Sequence, residues 1–216
     1  MPIERYIDHT LLKPVATPGA IKQLCAEALE YNFYAVCVNS CYVALAREEL
    51  KGSGVKIAAV VGFPLGAMST EAKVFEAKYC MEKGADEIDM VMNLGWLKSG
   101  EFSLVKEEIA LIKQAIGSRK LKVIIETCYL TAEEKKLAGM LVVEGKADFI
   151  KTSTGFGSGG ATFEDIKLIS NVIQNKIQIK ASGGIKDKKT ALRYLDMGVS
   201  RLGTSSGIAI VKETNP

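Results

Sequence analysis

Two lysines stand singly within apolar, strand-like runs, where lysine is unusual. Lys151 lies in the run 149–153 and Lys180 in the run 177–181. An unpaired ammonium in a low-dielectric interior is costly, so a buried lysine must be neutralised, paired or used in chemistry. An ordinary lysine, with a pKa of about 10.4, is protonated at pH 7 and is no nucleophile. Burial and a neighbouring ammonium both lower a lysine's pKa, so the pair favours attack of an amine on a carbonyl.

Asp89 is the acidic residue that best matches these lysines. It lies in the apolar strand-like run 87–92. A carboxylate in such a run needs a cationic partner, and either lysine can provide one. In the functional interpretation Asp89 moves protons between the amines. In the structural interpretation the lysines form only ion pairs, with Asp89 or Glu126. The residues alone leave both interpretations open.

Two glycine-serine segments follow the last two strand-like runs, at 182–185 and 203–207. Backbone N–H groups at such turns bind anions, and in barrels the loops after strands seven and eight commonly hold phosphate; plain tight turns are the alternative. A third segment, 155–160, has the pattern G-x-G-x-x-G. A dinucleotide site also requires an acidic residue at the end of the next strand, but that strand ends at 181–183 in Ala-Ser-Gly, so nicotinamide binding is disfavoured.

Eight short apolar runs alternate with helical patterns along the whole chain. Their lack of strict alternation is typical of a parallel sheet covered on both faces. A repeat of about 27 residues fits one strand, one helix and two short turns. We therefore predict a single α/β domain over residues 1–216, a (β/α)8 TIM barrel, with an open doubly wound sheet as the alternative. The predicted strands are 6–11, 34–39, 56–63, 87–92, 121–127, 149–153, 177–182 and 201–205.

Helix start signals support this assignment. Thr17 precedes Pro18, Thr131 forms a capping-box pattern with Glu134, and Thr162 precedes a further helix. In a barrel the functional residues lie at the carboxyl ends of the strands, and polar residues concentrate there, whereas the strand starts are predicted to be apolar or surface-like.

The composition excludes several classes of function. The net charge of +3 is spread among mixed charges, so no nucleic-acid module is expected. No apolar run has the length of a signal peptide or a membrane span. The five cysteines lack C-x-x-C spacing, which favours reduced thiols and a cytoplasmic protein. His9 is the single histidine, so no metal is expected, and its most plausible role is structural.

Seven segments, in order along nearly the whole chain, resemble deoxyribose-phosphate aldolases of the short bacterial type. These segments are 8–14 (DHTLLKP), 36–39 (VCVN), 61–66 (VGFPLG), 87–91 (EIDMV), 151–156 (KTSTGF), 180–185 (KASGGI) and 203–207 (GTSSG). The resemblance implies a Schiff-base aldolase without a cofactor or metal, which reversibly cleaves 2-deoxy-D-ribose 5-phosphate to acetaldehyde and D-glyceraldehyde 3-phosphate in deoxyribose catabolism. It also implies a homodimer or homotetramer.

The resemblance assigns roles to individual residues. Lys151 is the implied Schiff-base lysine, Lys180 the second lysine and Asp89 the acid/base. The implied substrate contacts are Asp8, Thr10, Cys37 and Thr152. The implied phosphate contacts are Gly155, Gly183, Gly184, Ser205 and Ser206.

Two departures from the family pattern stand out. Phe156 replaces a lysine that some relatives carry, which predicts a weaker preference for phosphorylated over free aldehydes. The last tyrosine is Tyr194, whereas some relatives have a tyrosine in the tail. Two alternatives remain open from the sequence: a Schiff-base aldolase for a different sugar phosphate, and a catalytically silent barrel that binds sugar phosphate.

Overall fold

The computed structural model describes residues 2–213, and its centre is a closed barrel of eight parallel strands in chain order. β8 pairs with β1, which closes the barrel. The predicted (β/α)8 barrel is therefore confirmed and the open sheet excluded. The strands are β1 (Ile7–Leu11), β2 (Ala35–Val38), β3 (Lys56–Val61), β4 (Glu87–Val91), β5 (Lys120–Ile124), β6 (Phe149–Lys151), β7 (Gln178–Ser182) and β8 (Arg201–Thr204).

Helices follow the strands and form the outer layer. They are α1 (Pro18–Glu30), α2 (Val43–Glu49), α3 (Thr70–Glu82), α4 (Leu94–Ser99), α5 (Phe102–Ile116), α6 (Ala132–Glu144), α7 (Phe163–Ile173), α8 (Lys188–Asp196) and α9 (Gly207–Lys212). The caps predicted at Thr17, Thr131 and Thr162 are present, and Thr131 with Glu134 forms a complete capping box. α4 was not predicted. It begins with a cap in which Asn93 Oδ1 accepts the Trp96 N–H at 3.2 Å.

The apolar core lies mainly between the strands and the helices. Outward-facing strand residues such as Val36, Ile88 and Ile150 are fully buried there. Inside the barrel, a second and much smaller apolar cluster consists of Leu12, Cys37, Ala58 and Val60, with Phe63 packed against it. Much of the remaining interior is charged, and this is the feature that positions the site.

Some predictions concern residues at the chain ends. The one-domain assignment over residues 1–216 and the comparison with relatives that have a tyrosine in the tail extend to residues 1 and 214–216, which lie outside the described residues. Within residues 2–213, no helix has both the length and the apolar character needed to span a membrane.

Candidate active site

Asp89 lies at the centre of the barrel and accepts hydrogen bonds from three lysines. Its Oδ2 atom is 2.9 Å from Lys151 Nζ and 2.8 Å from Lys180 Nζ. Its Oδ1 atom is 2.6 Å from Lys122 Nζ. The strand register explains the arrangement, since Lys151 is level with Lys180 across β6 and β7, and Asp89 with Lys122 across β4 and β5. The structure thus brings together Lys151, Lys180 and Asp89, as the sequence predicted.

The charge network continues toward the amino-terminal end of the barrel. Arg201 Nη1 donates to Asp8 at 2.9 Å and to Glu87 at 3.1 Å, and its guanidinium lies 3.5 Å from the centre of the Tyr34 ring. Lys122 also contacts Glu87, at 2.6 Å. The prediction that the strand starts would be apolar or surface-like is therefore wrong for β4 and β8, which begin with the buried Glu87 and Arg201. These strands direct charged side chains inward, where the opposite charges pair with one another.

The pairing fixes the ionisation of several members of the network. Burial alone would raise the pKa of Asp8, but the surrounding cations hold it at about 2. Burial likewise opposes ionisation of Asp89, yet its three lysines keep its pKa well below the ordinary range. Burial would lower the pKa of Lys180, whereas Asp8 and Asp89 raise it above the ordinary value. At neutral pH Asp8 and Asp89 are therefore carboxylates and Lys180 is an ammonium.

Lys151 differs from the other lysines of the network in its partners and its access. Lys122 and Lys180 each contact at least two carboxylates, whereas Lys151 contacts one carboxylate oxygen and shares it with Lys180. The buried network has four basic groups and three carboxylates, so its net charge is zero when one amine is neutral. The basic groups are Lys122, Lys151, Lys180 and Arg201, and the carboxylates are those of Asp8, Glu87 and Asp89. Lys151 has the fewest carboxylate partners, and it lines the pocket described next.

A pocket of about 360 Å³ opens at the carboxyl ends of the strands. Seven of the predicted site residues line it: Thr10, Lys151, Gly155, Gly183, Gly184, Ser205 and Ser206. Asp8, Asp89 and Lys180 are fully buried and do not line it. The predicted catalytic lysine therefore lies at the boundary between the pocket and the charged interior.

Cys37 and Thr152 lie in the barrel wall rather than along the pocket. Cys37 is fully buried in the small inner apolar cluster, and burial raises the pKa of its thiol. The Thr152 hydroxyl donates to Ser182 O and accepts from Ser182 N, each at 3.1 Å, which joins β6 to β7. Direct contact with a bound substrate is thus not evident for either residue.

Glycine turns form the end of the pocket that was predicted to hold phosphate. Gly155 and Gly183 both have a φ of +86°, in the left-handed region that glycine adopts most easily. The loops after β6 and β7 meet backbone to backbone, because a Cβ on Gly160 would lie 2.3 Å from Gly183 O. Two lysines that the sequence analysis did not select, Lys13 and Lys186, also line this pocket.

The remaining candidates lie elsewhere. His9 Nε2 is 2.7 Å from Glu27 on α1, outside the barrel, in the structural position expected of it. Phe156 is 48% exposed and meets Phe63 edge to face, with ring centres 5.3 Å apart. Glu126 forms no ion pair with any described residue. Within residues 2–213, no three or more histidine, cysteine, aspartate or glutamate side chains are grouped to hold a metal ion.

Comparison with known proteins identifies the family. The family model described as DeoC/LacD family aldolase matches residues 5–214. The chain belongs to the DeoC/LacD aldolase family. A deoxyribose-phosphate aldolase of Coprothermobacter proteolyticus is 52% identical to this aldolase over 213 residues, covering 99% of this chain and 97% of the relative.

Solved structures agree with this assignment. QR15, an aldolase, superimposes with a TM-score of 0.94 and 43% identity, covering 97% of this chain and 94% of that one. A deoxyribose phosphate aldolase from Aeropyrum pernix, described as having a unique tetrameric structure, gives a TM-score of 0.88 and 30% identity, with 97% and 89% coverage. The prediction of an aldolase, a carbon–carbon lyase, is thereby confirmed.

Proposed function

We propose that this aldolase reversibly cleaves 2-deoxy-D-ribose 5-phosphate to acetaldehyde and D-glyceraldehyde 3-phosphate through a Schiff base on Lys151, in deoxyribose catabolism. One observation carries the proposal: Lys151 reaches the pocket while its amine shares a single Asp89 oxygen with a second ammonium. The names of the relatives support the choice of substrate.

The chemistry follows from the arrangement of the amines. Lys151 Nζ attacks the aldehyde carbon C1, and loss of water from the carbinolamine gives an iminium ion. The electron pair of the C2–C3 bond then moves into the iminium and forms an enamine, while the C3 hydroxyl loses its proton and becomes the aldehyde of glyceraldehyde 3-phosphate. Protonation of the enamine at C2 and hydrolysis release acetaldehyde. Asp89 and Lys180, through water, serve these proton transfers.

The end of the pocket formed by the glycine turns is proposed to bind the phosphate of the substrate. Backbone N–H groups of the turns at Gly155, Gly183 and Gly184, with the hydroxyls of Ser205 and Ser206, provide donors, and Lys13 and Lys186 provide positive charge. Thr10 is the proposed substrate contact that lines the pocket. Asp8 and Thr152 act from the wall, since Asp8 pairs with Lys180 and Thr152 joins β6 to β7. Cys37 is proposed to shape the wall beside them.

Borohydride reduction in the presence of acetaldehyde, followed by peptide mass mapping, tests this function. We expect a two-carbon adduct on Lys151 alone. An adduct on Lys180 would reverse the roles of the two lysines. The absence of a site-selective adduct would favour the catalytically silent sugar-phosphate-binding barrel. Cleavage of another sugar phosphate, but not of 2-deoxyribose 5-phosphate, would favour the aldolase of different specificity.

The substitution Lys151→Ala gives a second test. We expect it to lower kcat by more than about a thousandfold, because the covalent path is lost, while the circular dichroism spectrum stays unchanged. Lys136→Ala is the matched control, because Lys136 lies on the surface of α6 and, among residues 2–213, forms its salt bridge with Glu133 alone. Substantial turnover by Lys151→Ala would contradict the mechanism.

We also propose a cytoplasmic homodimer or homotetramer. Five free cysteines are consistent with a reducing compartment. Leu65 and Phe75 are 77% and 73% exposed, and we propose that they belong to the surface that a second copy of the chain covers. Light scattering of the purified protein tests the assembly, and a monomer at micromolar concentration would contradict it.

A further inference from the structure

Glu126 combines two unfavourable features in one residue just beyond β5. Its side chain is buried, and its carboxylate forms no ion pair within the described part of the chain. Its backbone has φ 47° and ψ 68°, a left-handed conformation that is uncommon for residues other than glycine. A buried carboxylate is retained only where hydrogen bonds compensate for its lost hydration, so its partners indicate its role.

Among the described residues, the short hydrogen bonds to the Glu126 carboxylate come from Thr154, in the loop after β6, and the Cys128 thiol makes a longer contact of 3.9 Å with Oε1. The Thr154 N–H lies 3.2 Å from Oε1 and 3.3 Å from Oε2, and the Thr154 hydroxyl also contacts Oε2. The same hydroxyl accepts the N–H of Phe156 at 3.0 Å. Since an N–H only donates and a carboxylate only accepts, the hydroxyl proton points to Glu126. The hydrogen bonds therefore run in one direction, from Phe156 through Thr154 to Glu126.

This chain of hydrogen bonds fixes the turn formed by residues 154–156, here called the phosphate turn. Gly155, at its centre, lines the pocket and is held from both sides by the bonds of its neighbours. The loop then folds back onto the carboxylate, because a Cβ on Gly157 would lie 3.3 Å from Glu126 Cδ and 2.6 Å from Cys128 Sγ. The Glu126 carboxylate therefore holds the phosphate turn through its hydrogen bonds to Thr154.

We propose that Glu126 is a positioning residue that orients the phosphate turn and so sets the preference for phosphorylated over free substrates. The proposal rests on the proposed function, because it takes the pocket to bind the substrate's phosphate. Phe156 supplies no charge to the turn, so the turn recognises an anion through backbone N–H groups. Their contribution depends on direction, which is the property that Glu126 controls.

Glu126→Gln tests this role, because it removes the negative charge and replaces one of the two carboxylate oxygens that Thr154 contacts with an NH₂ donor. We expect kcat/KM for 2-deoxyribose 5-phosphate to fall by roughly 10- to 100-fold, as for the loss of a hydrogen bond to a charged group. For unphosphorylated 2-deoxyribose we expect kcat/KM to stay within about twofold of the wild-type value, because the lysine network is untouched. The inhibition constant of inorganic phosphate should rise by a similar factor to the fall in kcat/KM for 2-deoxyribose 5-phosphate. Glu133→Gln, on the exposed surface of α6, is the matched control.

Two substitutions at Thr154 provide an independent test. Thr154→Val removes the hydroxyl that links Phe156 to Glu126 and is expected to reproduce the selective loss. Thr154→Ser keeps the hydroxyl and is expected to retain most of the wild-type preference. If Glu126→Gln does not fold, this pair decides the question.

Equal losses on both substrates would overturn the proposal, because they would indicate a general structural role. An unchanged preference in Glu126→Gln and Thr154→Val would overturn it as well. Failure of the proposed function is recognised separately, as absence of turnover and of an acetaldehyde adduct in the wild-type protein. In that case, calorimetric titration with inorganic phosphate still measures whether the variants bind phosphate more weakly than the wild-type protein.

Discussion

At the scale of single residues, the three lysines around Asp89 have different tasks. Lys122 and Lys180 each bridge carboxylates. Burial alone would lower the pKa of each lysine, but the attraction of the carboxylates is larger and raises the pKa above its ordinary value. Lys151 shares the oxygen that Lys180 already occupies. Lys151 is therefore the lysine of the three that has the fewest carboxylate partners and that also lines the pocket.

Lys180→Leu tests the proposed role of Lys180 in proton transfer. We expect kcat to fall by on the order of a hundredfold, because the variant loses a proton-transfer group. Steady-state kinetics measure the effect, with Lys136→Leu as the surface control. An unchanged kcat would contradict this role.

The sequence was sufficient to select Lys151, Lys180 and Asp89, since a single charge in an apolar run indicates burial. The same signal is present at Lys122, in the apolar run 121–125, so the third lysine of the network is also recognisable from the sequence. Lys13 and Lys186 could not be selected in this way. They lie in loops, and whether a loop side chain reaches the pocket depends on the path of the loop rather than on any sequence period.

At the scale of elements, all eight strands were predictable because parallel strands buried on both faces are nearly continuous apolar runs. α4 was not predictable, because it is only six residues long, begins soon after the end of β4 and contains Gly95. The inward direction of Glu87 and Arg201 also escaped prediction. It depends on which face of each strand points into the barrel, and runs without alternation do not reveal this.

Gly160→Ala tests the contact between the loops after β6 and β7. A methyl group there would overlap the backbone of Gly183, so the two loops must separate. We expect KM for 2-deoxyribose 5-phosphate to rise about tenfold, with kcat changed less, since the substitution displaces recognition groups rather than the lysines. Gly54→Ala is the control, because nothing lies within 4 Å of a Cβ at that position. Unchanged kinetics would show that the loops tolerate separation.

At the scale of the whole molecule, a barrel interior built on ion pairs makes stability depend on pH. The pKa of Asp8 is lowered from 3.8 to about 2 in the folded state. A lowered carboxyl pKa gives stability that is complete above pH 4 and is lost as the pH falls toward 2. Asp89 has its pKa lowered in the same direction, so both carboxylates contribute to acid unfolding.

Asp8→Asn tests this dependence. At pH 7 we expect a loss of about 3–5 kcal/mol in the free energy of unfolding, because Lys180 and Arg201 lose a buried partner. Between pH 4 and 2 we expect the stability of the variant to fall less steeply than that of the wild type, since one titrating carboxyl is absent. Urea unfolding at pH 7, 4 and 3 gives both quantities, with the exposed Asp196→Asn as control. If the free energies of unfolding of the variant and the wild type fall in parallel below pH 4, the lowered pKa of Asp8 is contradicted.

The division between strand and loop in this pocket has a practical consequence. The amines and carboxylates lie on the strands, whereas the groups proposed to bind phosphate belong to turns that join separate strands to helices. Under the proposed function, bond-making chemistry and choice of substrate are therefore carried by different parts of the chain. For synthesis of carbon–carbon bonds, we expect exchange of these loops to change the range of acceptor aldehydes while the strand residues stay as they are.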